Sequence, residues 1–370
     1  MKHGLEIICD IGHFIALEDA WGHLLDCSNQ KDLGYFNSWV WASTWWSVYA
    51  KSNDRLFIIC QWHEGKLVGL GPFYIKHEYG KLLKTLYFIG TGEPEETEVA
   101  TEYLDLLILD EWNAEFVRNV AKEIEALTTL SRLEFVNVLE ESKSIIDVVN
   151  KLKSTFSLQK KLCGYRYVAD LSCADARDTL SKSQAKKHSV ASRRFLRTGE
   201  GNCFRVIHEQ DLEYGMQVLE QLHQQRWQSK GKQGVFSAVE FHDFHRRIST
   251  YLLAKSDLLI LMLKIKDKPI AIFYGWKFKN TLAYYQSGID GTTKPNMSPG
   301  LLMHVEAMQW ARGSNINNYD FMKGGETSYK SAYAEKTQKM HHFQLYKKSL
   351  YSLLCNGGAF LIHRIRMLIQ

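Results

Sequence analysis

The apolar positions of the chain fall into two series with the same order. Residues 55–60 form a strand-like run, residues 63–66 (His-Glu-Gly-Lys) carry turn chemistry, and residues 67–70 resume the apolar pattern. This predicts a β-hairpin. The second half repeats it, with apolar runs at 258–263 and 270–274 around a turn at 266–269. A third strand follows each hairpin, over 85–89 and 281–285, and each half then turns helical. Phe116, Val117, Val120, Ile124 and Leu127 fall at helical spacing in the first half, and Leu301, Val305, Met308 and Arg312 in the second. Ser298 and Pro299 stand where an N-cap and a first helical residue belong. Each half closes on a strand, at 133–137 and 319–322. A helix that returns the chain to its own sheet makes a parallel pair, so the expected class is α/β with mixed sheets.

Two further amphipathic helices lie between the halves. Leu212, Met216, Leu219, His223 and Trp227 stripe one; Phe241, Phe244, Ile248, Leu252 and Leu253 stripe the other. Residues 151–161 are mixed and weakly periodic, which puts a boundary near 150–165. The expected domains are 1–160 and 161–348, followed by a helical tail over 349–370.

Composition narrows the class without naming a function. A chain of 370 residues, 45% hydrophobic and 24% charged, is globular and long enough for two domains. Five prolines exclude Pro-rich linkers, and no apolar run reaches the roughly 20 residues of a membrane span. The N-terminus lacks the pattern of a secretory signal. Seven scattered cysteines without a Cys-x-x-Cys suit free thiols in a reducing cytoplasm, the expected location. The net charge of +5 is mild. The tail, with Leu350, Leu353, Leu354, Phe360, Leu361 and Ile362 beside Arg364 and Arg366, reads either as packing on the domain or as peripheral contact with the inner face of the membrane. Gly-x-Ser-x-Gly and Gly-x-x-x-x-Gly-Lys-Ser/Thr are absent, which removes serine hydrolases and P-loop nucleotidases. His242, His245, His341 and His342 lack the spacing of a closed metal site, so no metal is expected.

Several stretches, in order, resemble one family. They are Leu67-Val68-Gly69, His223-x-x-Arg226-Trp227 before Lys230-Gly231, residues 284–290 (Tyr-Tyr-Gln-Ser-Gly-Ile-Asp), residues 298–302 (Ser-Pro-Gly-Leu-Leu), and Tyr319-Asp320-Phe321 with Gly324, Glu326, Tyr329 and Lys330. Together they resemble the CelD/FemAB-like branch of the GNAT acyltransferase superfamily over about residues 35–345. The resemblance implies two tandem GNAT-like domains, the first degenerate and the second keeping an acyl-donor site. It also implies transfer of an acyl group, usually from acyl-CoA as co-substrate, to an amine or hydroxyl. Members are often tied to polysaccharide or cell-envelope synthesis.

The chemistry such a reaction needs selects residues. A pyrophosphate is best met by backbone N–H groups at a helix start, and a thioester carbonyl by a donor to its oxygen. Gln286, Ser287 and Gly288 after a strand, and Asn296, Ser298, Gly300 and Leu301 before a helix, could supply both; an ordinary strand–loop–helix connection would look the same. A proton acceptor is sought in Glu326 first, then Asp320, His223 and Tyr329, with paired surface charges or a core histidine as the plain alternatives. Arg226, Trp227 and Lys330 are candidates for holding substrate. Lys182, Lys186, Lys187, Arg193, Arg194 and Arg197 form a basic run; on a helix Lys182, Lys186, Arg193 and Arg197 lie within about 60° of one another. No module for sequence-specific nucleic-acid recognition accompanies it. The superfamily's usual Gln/Arg-x-x-Gly-x-Gly/Ala stretch is absent. Three functions follow as expectations: acyl, in particular acetyl, transfer from acyl-CoA to a sugar or envelope precursor; FemAB-like aminoacyl transfer from aminoacyl-tRNA to a peptide-bearing precursor; and a non-catalytic scaffold.

Overall fold

The computed structural model describes residues 2–28, 30, 33–78, 83–173, 175–206, 208–229, 231–293, 297–334 and 336–348. Lys230, Asn296 and the tail 349–370 lie outside them. The chain divides into two compact units, one of residues 1–94, 98–163 and 339–370, the other of 95–97 and 164–338. Among the described residues no helix is long and apolar enough to cross a membrane.

The first unit is built on β1 (Gly4–Ile8), α1 (Ile11–Ile15), α2 (Glu18–Cys27), α3 (Trp39–Tyr49), β2 (Arg55–His63), β3 (Lys66–Glu78), β4 (Leu83–Phe88), β5 (Leu107–Ile108), α4 (Asn113–Ala126), β6 (Arg132–Leu139) and α5 (Lys143–Lys151). Strands β1 to β4 form an antiparallel ladder, and β4 then pairs β6 in parallel through Thr85–Arg132, Leu86–Leu133 and Tyr87–Glu134. The β2–β3 hairpin closes at Glu64 and Gly65, both at positive φ (48° and 81°), the geometry that matches the twist of the strands. Beyond Tyr87 and Glu134 the parallel pairing stops. There the segment 99–106 lies against β6: Tyr103 N–H donates to Asn137 O, and Asn137 Nδ2 donates to Thr101 O. Val99, Leu104 and Leu106 are buried in it.

The second unit repeats this plan with β7 (Phe156–Asp170), α6 (Lys182–Arg197), β8 (Gly201–Arg205), α7 (Glu209–Gln228), α8 (Val239–Ala254), β9 (Leu258–Ile265), β10 (Lys268–Phe278), β11 (Thr281–Ile289), α9 (Pro299–Gly313) and β12 (Asn318–Gly324). Strands β8 to β11 are antiparallel, β11 pairs β12 in parallel, and β12 pairs the second half of β7 antiparallel. Alternation along the strands splits their side chains between two layers. Leu259, Leu261, Leu263, Phe273, Leu282 and Tyr319 pack with Leu302, Met303, Val305 and Met308 of α9. On the other face α7 and α8 cover β9, β10 and β11.

The repeat β-β-β-α-β is therefore present in both units. Two strands were not expected from the pattern. β7 occupies the stretch expected as a boundary, and the division between the units falls inside it, between Cys163 and Gly164. The last described strand, β13 (Lys336–Lys347), pairs β6 antiparallel through Met340–Leu139 to Tyr346–Arg132. Residues 339–348 thus group with the first unit, whereas the span 161–348 expected for the second domain assigned them to the other.

Candidate functional site

The second unit opens where β11 and β12 part. Their parallel pairing covers only Thr281–Asn318, Leu282–Tyr319 and Ala283–Asp320. Past that point β12 bulges, with a register shift against β7 between Asp320 and Lys323 and a left-handed Met322 (φ 61°). Asp320 holds this bulge. One carboxylate oxygen accepts from Met322 N–H at 2.7 Å and the other from Arg166 Nε at 2.8 Å, in an ion pair almost excluded from water. Lys330 braces it from the other side, its ammonium donating to the carbonyls of Phe321 at 2.5 Å and Lys323 at 2.6 Å. A bulge frees ladder carbonyls, and buried carbonyls need donors.

A second bulge lies in β11. Gly275 pairs Tyr284 and Tyr274 pairs Gln286, so Tyr285 is the extra residue. A Cβ on Gly275 would come within 1.9 Å of Ala283 O, so only glycine fits opposite it. The extra residue breaks the alternation of faces. Tyr284 and Ser287 share one side, their hydroxyls 2.6 Å apart, while Tyr285 and Tyr274 both bond His245 on the other.

Between the parted strands and α9 lies a cavity of about 700 Å³. Its floor is Tyr284, Ser287 and His304; the first residues of α9 (Ser298, Gly300, Leu301), Tyr329 and Tyr333, and the start of α6 (Ser181, Gln184, Lys187) surround it, with Arg226 at the rim. Among the described residues two cations and no carboxylate line it. The N-terminal end of α9 adds its partial positive charge. The Tyr284 and Ser287 hydroxyls form a pair on this floor; desolvation and then the neighbouring Tyr284 push the Tyr329 phenol above its ordinary value. His304 is buried, and burial followed by the Lys330 charge holds it at about 3.

The residues singled out in the sequence divide on this geometry. Ser287, Ser298, Gly300, Leu301, Arg226 and Tyr329 line the cavity. Ser298 stands at the N-cap position but at φ 45° and with no side-chain capping bond, unlike the expected cap. Gln286 pairs Tyr274 in the β10 ladder. Gly288 faces α7 instead: a Cβ there would come within 2.4 Å of Leu222 Cβ. The base role expected of Asp320 and the anion-binding role expected of Lys330 need correction, because both side chains are engaged in the β12 bulge. Glu326 is exposed and does not line the cavity. His223 is buried, accepts from Trp227 Nε1 at 2.9 Å, and is held by burial at about 4, outside the lining; it fits the core-histidine alternative. Asn296 lies outside the described residues. Sequence reasoning missed His304, Tyr284, Tyr333 and Gln184. His304 sits one turn past Gly300 on an otherwise apolar helix face, the one sign that could have marked it. Among the described residues no three His, Cys, Asp or Glu side chains gather as for a metal ion.

Comparison with known proteins bears on the fold. A family profile described as an acetyltransferase (GNAT) domain matches residues 182–331, which hold α9 and both parted strands. No curated protein sequence matches the chain. Among solved structures it is similar to FemX, at 11% identity and a TM-score of 0.61, covering 91% of this chain and 98% of that one. It is similar to L-PGS from Bacillus licheniformis (12%, TM-score 0.52, covering 91% and 96%). A tandem GNAT protein from the clavulanic acid biosynthesis pathway is similar too (11%, TM-score 0.50, covering 93% and 99%). At such identities these likenesses speak to the fold. Residues 182–331 are thus similar to a GNAT domain, and the chain has the fold seen in FemX, L-PGS and the tandem GNAT protein.

Proposed function

We propose that the second unit transfers an acyl group from a phosphate-bearing donor to an amine or hydroxyl of a sugar or envelope precursor. The observation that carries this is the cavity at the parted strands: among the described residues it is lined by Lys187, Arg226 and the start of α9, and by no carboxylate. Such positive charge suits the phosphates of the donor. Beyond Ala283 the edge of β11 has lost its β12 partner, which leaves backbone groups for the donor's acyl arm.

The acceptor heteroatom bonds to the acyl carbon, and the bond to the leaving sulfur or oxygen breaks. The proton released by the acceptor passes along the Ser287–Tyr284 hydroxyl pair to the leaving atom, so the protons balance.

Acetyl-CoA is the first donor to test. The second reading, aminoacyl transfer from charged tRNA, is favoured by Lys182, Lys186, Arg193 and Arg197, which lie exposed along α6, the helix whose start lines the cavity. Melting temperature separates the two, since a ligand of the folded state alone raises it. Acetyl-CoA at about a hundred times its Kd should stabilise by roughly 2.7 kcal/mol if it is the donor. Aminoacyl-tRNA should do so in the second reading, and neither should in a scaffold. Gly300→Asp, which puts a carboxylate at the start of α9, should abolish the rise without unfolding the chain. An unchanged rise in that variant sinks the assignment of the phosphate site.

A further inference from the structure

Helix α9 sets one polar ring among its buried apolar residues. His304 is 3% exposed, lines the cavity, and lies 4.8 Å from the Tyr284 ring, 5.1 Å from Phe321 and 5.6 Å from Tyr333. Its Nδ1 is 2.7 Å from the Tyr319 hydroxyl. Tyr319 is wholly buried, and this is its one side-chain hydrogen bond among the described residues. A buried hydroxyl left with no acceptor would cost about 1–3 kcal/mol. Tyr319 therefore donates, and Nδ1 accepts. A neutral imidazole that accepts at Nδ1 carries its proton on Nε2. Nε2 has no hydrogen-bond partner among the described residues. Burial keeps the ring uncharged at neutral pH.

We propose that His304 is a fixed, uncharged hydrogen-bond donor, through Nε2–H, to the carbonyl oxygen of the acyl group being transferred, and that Tyr319 is the positioning residue that holds this tautomer. The assignment rests on the acyl-transfer reading. As the acceptor's lone pair bonds to the acyl carbon, the carbonyl π pair moves onto oxygen. A donor already aimed there stabilises that charge without reorganising. His304 transfers no proton in this step: the oxygen pair returns as the leaving group departs, and Nε2 keeps its hydrogen. A neutral donor also avoids a second charge beside Lys330.

The test uses the full chain with two probes, carbonyl-13C acetyl-CoA and a carbonyl-13C aminoacyl-adenosine, together with 15N-histidine labelling. The His304 signals should show Nε2 protonated and Nδ1 bare from pH 5 to 8, and Tyr319→Phe should release a tautomer mixture. A probe that raises the melting temperature should show its carbonyl resonance displaced downfield. That displacement should vanish in His304→Phe, weaken in Tyr319→Phe, and be partly restored in His304→Gln, which keeps an N–H. Turnover should fall about a hundredfold in His304→Phe. Tyr319→Phe keeps the ring, so the assignment stays testable even if His304→Phe fails to fold. A bound probe with the same carbonyl resonance in wild type and variants, or a protonated Nδ1, overturns the His304 assignment and leaves the acyl-transfer reading standing. If neither probe stabilises the wild type, the reading itself falls, and this assignment with it.

Discussion

Gly288 shows how a residue near a cleft acquires a structural role. The backbone of α7 passes so close that a methyl group would meet Leu222 Cβ at 2.4 Å, and neither atom can rotate away. Gly288→Ala should cost about 1–3 kcal/mol of stability. Gly291→Ala, with nothing within 4 Å of the added carbon, should change it by no more than about 0.5 kcal/mol. Urea denaturation of the two variants checks the contrast; equal midpoints would mean that α7 does not press on β11. Asp320 makes the same point in charge. Its sequence context shows a carboxylate at a strand end, a fit position for a base. Its partner Arg166 is 154 residues away, which no local pattern reveals. Ser287, Gly300 and Tyr329 were legible because each stands beside a strand end or helix start of plain pattern, and such ends converge on one edge of a sheet.

At the scale of elements, the site is the outcome of two bulges. The one in β12 turns the strand away from β11, and the one in β11 brings Tyr284 and Ser287 to the same face. The Arg166–Asp320 pair ties β7 to the first. Removing one partner of a buried pair strands the other charge, so Arg166→Ala should cost about 3–5 kcal/mol. The double variant Arg166→Met, Asp320→Leu should cost less in stability. It should still lose donor-induced stabilisation, because Met322 N–H no longer has its acceptor. Denaturation and donor-dependent melting, measured on both variants, separate the two effects. β7 itself went unread because residues 157 and 159–162 are all exposed, so no alternation marks that half of the strand. β13 is short of pattern for a different reason: its place beside β6 depends on a pairing more than 190 residues distant, Tyr346 with Arg132 at one end and Met340 with Leu139 at the other.

At the scale of the whole molecule, the two units carry buried titratable groups of opposite kind. In the second, burial holds His223 at about 4 and His245 and His304 at about 3. Unfolding lets each take a proton near pH 6.5. Their contribution is therefore complete above pH 6.5 and is lost as pH falls towards 4 and then 3. In the first unit, burial pushes Glu93 and Asp105 up to about 7. Those groups contribute fully below pH 4 and lose their contribution as pH rises through 7. Acidification from pH 7.5 to 5 should thus weaken the second unit relative to the first. Hydrogen exchange, corrected for intrinsic rates, should show protection of core amides in β9–β11 falling against that of β2–β4. A parallel change in both sets would show that these groups do not govern the balance.

The amino-acid sequence by itself determined the doubled β-β-β-α-β order, the apolar faces of the helices and the stretches from which the site is drawn. These depend on the local periods of strand and helix, which repeat within a few residues. Tertiary structure alone decided which polar groups reach the cavity. It engaged Asp320 and Lys330 in holding a bulge, turned Gly288 towards a helix, and brought in His304 and Tyr284. It also placed β13 in the unit furthest from it along the chain. The physical reason is common to all of these: each outcome depends on partners far apart in sequence, whose meeting is fixed by packing and by the need of buried polar groups for hydrogen bonds.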